Sequence, residues 1–478
     1  MASIDRHNTW LWMAEGGALI ALAALALALL PWPEALRATV ALAVAYVVPR
    51  AVYSHSPHRT VGGHMVLLLA ALWLAAIAVP FLHQVTVGSG ATFRMPQLGG
   101  DANEYYNWAL AHYDGSAVEP KVTFWGYSIL IIGLWRVLGV SVIWPVAANV
   151  MATLLTVVLT GHVAARVAAV HPQRTGTLAM AMIAVQGYFM SQGAQMLKEP
   201  WVYLSVTLIA FSLLPTAGGQ RRASRGQRRG RDDASGIVHC ALIFALGCFI
   251  LAAVRAKYVN FIAVGIVMLA VAGRMRQWRR YGLMLAITVL CWCLGMAMTD
   301  HYTVVQQVNN VTGQGGMAGI FAPDGVYERI IGDYFHYPVW KKLLMLPVAC
   351  SVQWVIPFPW LSQPEAVSWL SVAPRLRLGW YVLSGAVVYF YLFRSWRRGW
   401  QWAAWAWFPM VCYVAIAYMT SGTVSRYVLP FQPWWMAMAA VASLVSWRRR
   451  SFWVFMAAYV LFMAIVLILS HHAVVTAN

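Results

Sequence analysis

Apolar residues run along this chain in blocks of about 17–23 with few interior charges, which is the length of helix needed to cross a bilayer. Thirteen such blocks predict spans at 9–31, 34–50, 64–85, 143–165, 176–192, 199–215, 237–254, 258–273, 281–298, 378–394, 402–419, 430–446 and 452–470. Two further apolar segments, 121–141 and 341–358, are ambiguous by length alone. The pattern predicts an all-α, polytopic helical membrane protein of about 13 transmembrane helices, with residues 1–478 forming a single membrane domain. Polar stretches interrupt the pattern at three places. These are a loop at 87–142, a Gly/Ser/Gln-rich linker at 216–236, and a long segment at 299–377.

Charge orients the blocks. Basic residues in short loops stay cytoplasmic. The clusters Arg221–Arg231, Arg274–Arg280, Arg394–Arg398 and Arg448–Arg450 are therefore expected inside, with the N-terminus, at the inner or plasma membrane. Counting back from the linker puts Ser191–Lys198 outside and starts the 143–165 span outside. If 121–141 crossed as well, Arg50 and Arg59 would be forced outward. Leaving 121–141 as an interfacial helix avoids that, and Arg136 within it disfavours a lipid-exposed span. The same parity makes 341–358 re-entrant or interfacial. On this partition only Asp5, Glu15, Asp232 and Asp233 of the 15 acids are cytoplasmic, and all five lysines are extracytoplasmic. Orientation alone gives no reason for acids and lysines to gather on one face.

Composition changes the picture little. The chain is 61% hydrophobic and 10% charged, so the net charge of +19 reads as topology, and no nucleic-acid partner is expected. The six cysteines lie in apolar stretches without metal-ligand spacing and read as small core residues. No P-loop, GxGxxG or HExxH pattern occurs.

Candidate chemistry concentrates on the outer face. Gly99-Gly100-Asp101-Ala102-Asn103-Glu104-Tyr105-Tyr106-Asn107-Trp108-Ala109 opens a helix with two acids at i, i+3 on one face. One role for them is a capping box. Another is a general base at the mouth of an apolar site, beside aromatic rings on which a sugar stacks. Lys198-Glu199 sits in a short outer turn, as a snorkelling lysine with a neighbouring acid or as a cation for a lipid-linked phosphate. Arg255 and Lys257 crowd another short outer turn and suit a lipid head group or a bound phosphate. Arg426-Tyr427 lies in an outer loop, and 299–377 contains Asp333 and His336, too few ligands for a metal site. Its edge, Pro357-Phe358-Pro359-Trp360, is a rigid aromatic element for the interface.

The Asp101 stretch, Gly126-Tyr127-Ser128 leading into Leu134-Trp135-Arg136-Val137-Leu138-Gly139, Leu197-Lys198-Glu199 and Arg426-Tyr427 with Pro430 together resemble the GT-C superfamily of membrane glycosyltransferases, the polyprenyl-phosphate-sugar-dependent, family-39-like members in particular. The resemblance spans about 87–435. Glu199 stands where those enzymes usually have Asp, two helices precede their usual first span, and the C-terminal soluble domain of some members is missing. The resemblance implies inverting transfer of a sugar from a polyprenyl-phosphate-linked donor to a glycan, lipid or protein acceptor, in cell-envelope polysaccharide or glycolipid synthesis. Asp101 and Glu104 would be the catalytic pair. Lys198, Arg255, Lys257 and Arg426 would hold the donor phosphate, and Tyr105, Tyr106, Glu199, Tyr427 and His336 would contact substrate, with membrane lipids around them. No metal ligands are assigned, and a divalent cation stays open as an assistant. The competing readings are a polysaccharide polymerase or ligase using lipid-pyrophosphate donors, a transporter or flippase of lipid-linked sugars, and a non-catalytic scaffold.

Overall fold

The computed structural model describes residues 2–116, 125–214, 232–272, 278–297, 337–355, 378–420 and 429–475. These form an all-helical membrane protein, 87% helix, with no strand among the described residues. In chain order the helices are α1 (Ala2–Leu29), α2 (Trp32–Ser54), α3 (Val61–Val85), α4 (Gly100–Tyr113), α5 (Trp125–Leu138), α6 (Ile143–Val167), α7 (Pro172–Ala184), α8 (Gly187–Gly193) and α9 (Glu199–Leu213), followed by α10 (Asp232–Arg255), α11 (Lys257–Ala272), α12 (Trp278–Ala297), α13 (Val339–Val355), α14 (Leu378–Phe393), α15 (Trp400–Thr420), α16 (Gln432–Ser446) and α17 (Arg450–Val475). Six stretches among the described residues are long and apolar enough to cross a bilayer: Thr9–Leu29, Trp32–Ser54, Val61–Ser89, Ile143–Val167, Val238–Arg255 and Arg450–Leu469. The other seven expected spans are helical but do not each supply one helix of that length and hydropathy. Within the predicted 216–236 linker, helix α10 already begins at Asp232.

Two departures from the hydrophobic pattern shape the site. Within the apolar segment at 121–141, the described residues Trp125–Leu138 form α5, 14 residues that rise about 21 Å. The apolar run at 176–192 is not one helix. It breaks between α7 and α8, where Gln186 takes an extended backbone with ψ 93°. The amide of Gln186 points back to Met182 O at 3.4 Å, a partial replacement for the backbone bond lost at the break.

Helix α6 is the central element, packed on α2, α7, α9 and α16. Its small and β-branched residues Ala152, Thr153, Thr156, Val157, Thr160 and Gly161 are buried, and the threonine hydroxyls donate to carbonyls one turn back. Small residues set close approaches elsewhere. A Cβ on Gly126 would lie 2.5 Å from Ala253 O, so α5 rests directly on the end of α10. At the far end of α9, Arg280 donates to Ser212 O at 2.6 Å and Leu214 O at 3.2 Å. Arg166 lies at the far end of α6, and Thr60 joins Thr177 beside it. The start of α6, the start of α9 and the end of α10 thus define one end of the bundle, and this basic group marks the other.

Candidate functional site

Helix α4 is delivered to that first end by the segment after α3. The amide of Gln97 donates to Val85 O at 2.7 Å, which folds 86–99 back over the helix terminus. Gly100 has φ 52°, a left-handed conformation that costs glycine little. The N-cap is Gly99 and no side chain caps the helix, so the capping box expected of Asp101 and Glu104 is not what starts it. Asp101 instead occupies the first turn, half-buried, where its charge is favoured by the helix dipole, and Glu104 is exposed one turn on.

Tyr105 and Tyr106 part company although they are adjacent. Tyr106 turns into the protein, its hydroxyl donating to Arg94 O at 2.9 Å and its ring set edge-on to Trp135 at 4.8 Å. Burial pushes its hydroxyl pKa up. Its side chain is 1% exposed. Tyr105 faces the bundle end. Its ring lies edge-on to Tyr127 of α5 at 5.4 Å, and the ammonium of Lys198 stands 5.3 Å from its centroid. It is equally enclosed, and its ring meets the Lys198 ammonium in a cation–π contact.

Lys198 and Glu199 are both 1% exposed. Long charged side chains are rarely buried this far unless they are paired. Arg255, at the end of α10, brings Nη2 to 3.7 Å from Glu199 Oε1, an ion pair too long for a hydrogen bond. Among the described residues, neither carboxylate oxygen of Glu199 accepts a hydrogen bond. The guanidinium of Arg255 lies 5.3 Å from the ring of Tyr258, and Tyr258 stacks on Phe431 with centroids 6.4 Å apart. One continuous chain of contacts therefore links α4, α5, the 195–198 turn, α9, α10, α11 and the entry to α16.

The structure thus joins Tyr105, Lys198, Glu199 and Arg255, with Asp101 one turn before Tyr105 on the same helix. Arg426, Tyr427, His336 and the side chain of Lys257 lie outside the described residues. Sequence reasoning missed Asn149, Tyr127 as a ring support, and Tyr258. Asn149 did carry a signal, since a lone Asn inside an apolar span is rarely placed without work to do. Among the described residues no three His, Cys, Asp or Glu side chains come together as a metal site.

Comparison of the chain with family models, with curated proteins and with solved structures finds no match in any of the three.

Proposed function

We propose that this chain is a membrane glycosyltransferase that moves a sugar from a polyprenyl-phosphate-linked donor to a hydroxyl of a lipid, glycan or protein acceptor on the extracytoplasmic face. One observation carries this reading. Lys198, Glu199 and Arg255 form a buried charged cluster whose carboxylate accepts no hydrogen bond among the described residues, and Tyr105 ties that cluster to the helix that bears Asp101. A buried carboxylate without donors is costly, and a ligand that supplies them repays that cost. Phosphate suits the two cations, and sugar hydroxyls are the donors that Glu199 lacks.

In the proposed reaction Asp101 takes the proton of the acceptor hydroxyl, and the acceptor oxygen attacks the anomeric carbon. The bond from that carbon to the phosphate oxygen breaks, and the polyprenyl phosphate leaves with the bonding pair. A single displacement inverts the anomeric centre. Lys198 and Arg255 stand where the leaving phosphate gathers charge, which is the step's main electrostatic demand. Glu104, exposed on the same helix face, orients one of the two sugars.

The test uses the full chain in lipid nanodiscs with labelled polyprenyl-phosphate sugars. Sugar release or transfer is expected from the unaltered protein. Asp101→Asn should lose at least about a hundredfold, the usual scale of a removed general base, with an unchanged melting temperature. Full activity in Asp101→Asn would refute the base assignment. Asn107 is exposed on α4, so Asn107→Cys should react with an impermeant maleimide from outside the cell. Labelling only from the cytoplasm would overturn the placement of the site.

A further inference from the structure

We infer that Asn149 is the positioning residue of this site, the group that holds the Lys198–Glu199 turn at its working height against α4. The inference rests on the transferase reading for its consequence, and on geometry alone for the latch itself. Asn149 lies on the second turn of α6 and is 0% exposed. Its Nδ2 donates to Gln195 O and to Leu197 O, both at 2.7 Å, and reaches the Tyr127 hydroxyl at 3.0 Å. Its Oδ1 accepts from the indole of Trp201 at 2.9 Å. An indole N–H only donates and a carbonyl only accepts, so these partners fix which way the amide faces.

The residues that Asn149 grips surround the charged pair on both sides. Gln195 and Leu197 come just before Lys198, and Trp201 follows on the first turn of α9. The broken α7–α8 segment leaves the 194–198 turn without a continuous helix to carry it, so its carbonyls need a partner from elsewhere. Asn149 supplies it. The same amide reaches Tyr127, whose ring supports Tyr105, whose ring in turn faces the Lys198 ammonium. One side chain therefore sets the height of the cation and of the aromatic face it rests on. Neither Asp nor Leu reproduces this: Asp turns acceptors toward two carbonyls, and Leu leaves two carbonyls and an indole without their partner.

The experiment is a double-mutant cycle in the full chain, read as affinity for a sugar-free polyprenyl monophosphate. Asn149→Leu is expected to weaken binding about tenfold. The double variant Asn149→Leu/Lys198→Gln should bind no more weakly than Lys198→Gln alone, because both losses pass through one ammonium. Losses that multiply in the double variant would make Asn149 a general structural residue and overturn the inference, as would unchanged affinity in Asn149→Leu. A second measurement does not depend on the ligand. With Lys198→Cys in place, maleimide labelling should accelerate at least about tenfold when Asn149→Leu, or the milder Asn149→Ser if the first does not fold, releases the turn from its buried bonds. Equal labelling rates would overturn the inference. If even the unaltered chain fails to bind polyprenyl phosphate, the transferase reading falls, and the labelling rates still decide the role of Asn149.

Discussion

Replacing Arg255 alone should destabilise the protein, and replacing it together with Glu199 should not. Glu199 is 1% exposed and Arg255 6%. At their 3.7 Å separation and an effective dielectric near 20, the attraction is about 4 kcal/mol. Taking both ions out of water costs several kcal/mol each, so the pair contributes little net stability. Arg255→Met removes the attraction and leaves the desolvated carboxylate behind, at a cost of about 3–5 kcal/mol. For a chain of this size that is a fall in melting temperature on the order of 3–5 °C, read by tryptophan fluorescence in detergent. Glu199→Gln alone removes the carboxylate that faces the buried guanidinium at 3.7 Å and should also lower the melting temperature. Combined, Glu199→Gln/Arg255→Met should melt within about 2 °C of the unaltered chain, because two uncharged groups of similar size fill the same space. The double variant should still fail to transfer sugar. Stability and function would then have separate origins in one pair of residues. Additive losses in the double variant, or an unchanged melting temperature in Arg255→Met, would refute the account of a buried, mutually dependent pair.

Three further outcomes follow from other parts of the molecule. Gly126→Ala places a Cβ 2.5 Å from Ala253 O, a backbone atom that has no rotamer to yield; the melting temperature should fall by an amount matching about 1–3 kcal/mol, and an unchanged value would mean α5 does not rest on α10. Glu15 accepts from the Tyr46 hydroxyl at 2.8 Å and pairs with Arg50, binding α1 to α2, so Glu15→Gln should speed proteolytic release of the N-terminal helix, by about 1.5–3 kcal/mol of local stability. His58, in the loop between α2 and α3, has its pKa lowered from 6.5, first by burial and then by Arg166. A depressed pKa means the folded state binds the proton less readily than the unfolded state. Its contribution is therefore whole above pH 6.5 and is lost as the pH falls below that value. His58→Gln should flatten the fall in melting temperature on acidification, and an unaltered slope would refute it.

Much of the fold was legible because lipid imposes one rule on every segment: backbone groups must bond within the helix, and the side chains facing outward must be apolar. Thirteen apolar blocks predicted helices, and each is helical. Arg136 and the parity of the basic loops set 121–141 apart from the other blocks, and its described part is the 14-residue helix α5. What the hydrophobic pattern did not contain is where a helix stops inside an apolar run. Residues 176–192 read as one block because Gln186 and Gly187 are only two positions among apolar neighbours, and the break between them depends on partners from α6 and α16 that lie far away in sequence.

The site divides along the same line. Residue type and sidedness brought out Lys198, Glu199 and Arg255, since charges at a membrane edge are conspicuous against their surroundings. They did not separate Tyr105 from Tyr106, because the direction of a ring depends on which helix docks against it, and adjacent positions on α4 point about 100° apart. They also passed over Asn149. An uncharged amide in an apolar span stands out less than any lysine, yet it bonds at once to α5, to the 195–197 turn and to α9. A search for chemistry by charge finds the groups proposed to meet the substrate. The groups that hold them in place are found by asking where each buried carbonyl sends its lone pairs, and here the carbonyls of Gln195 and Leu197 lead to Asn149.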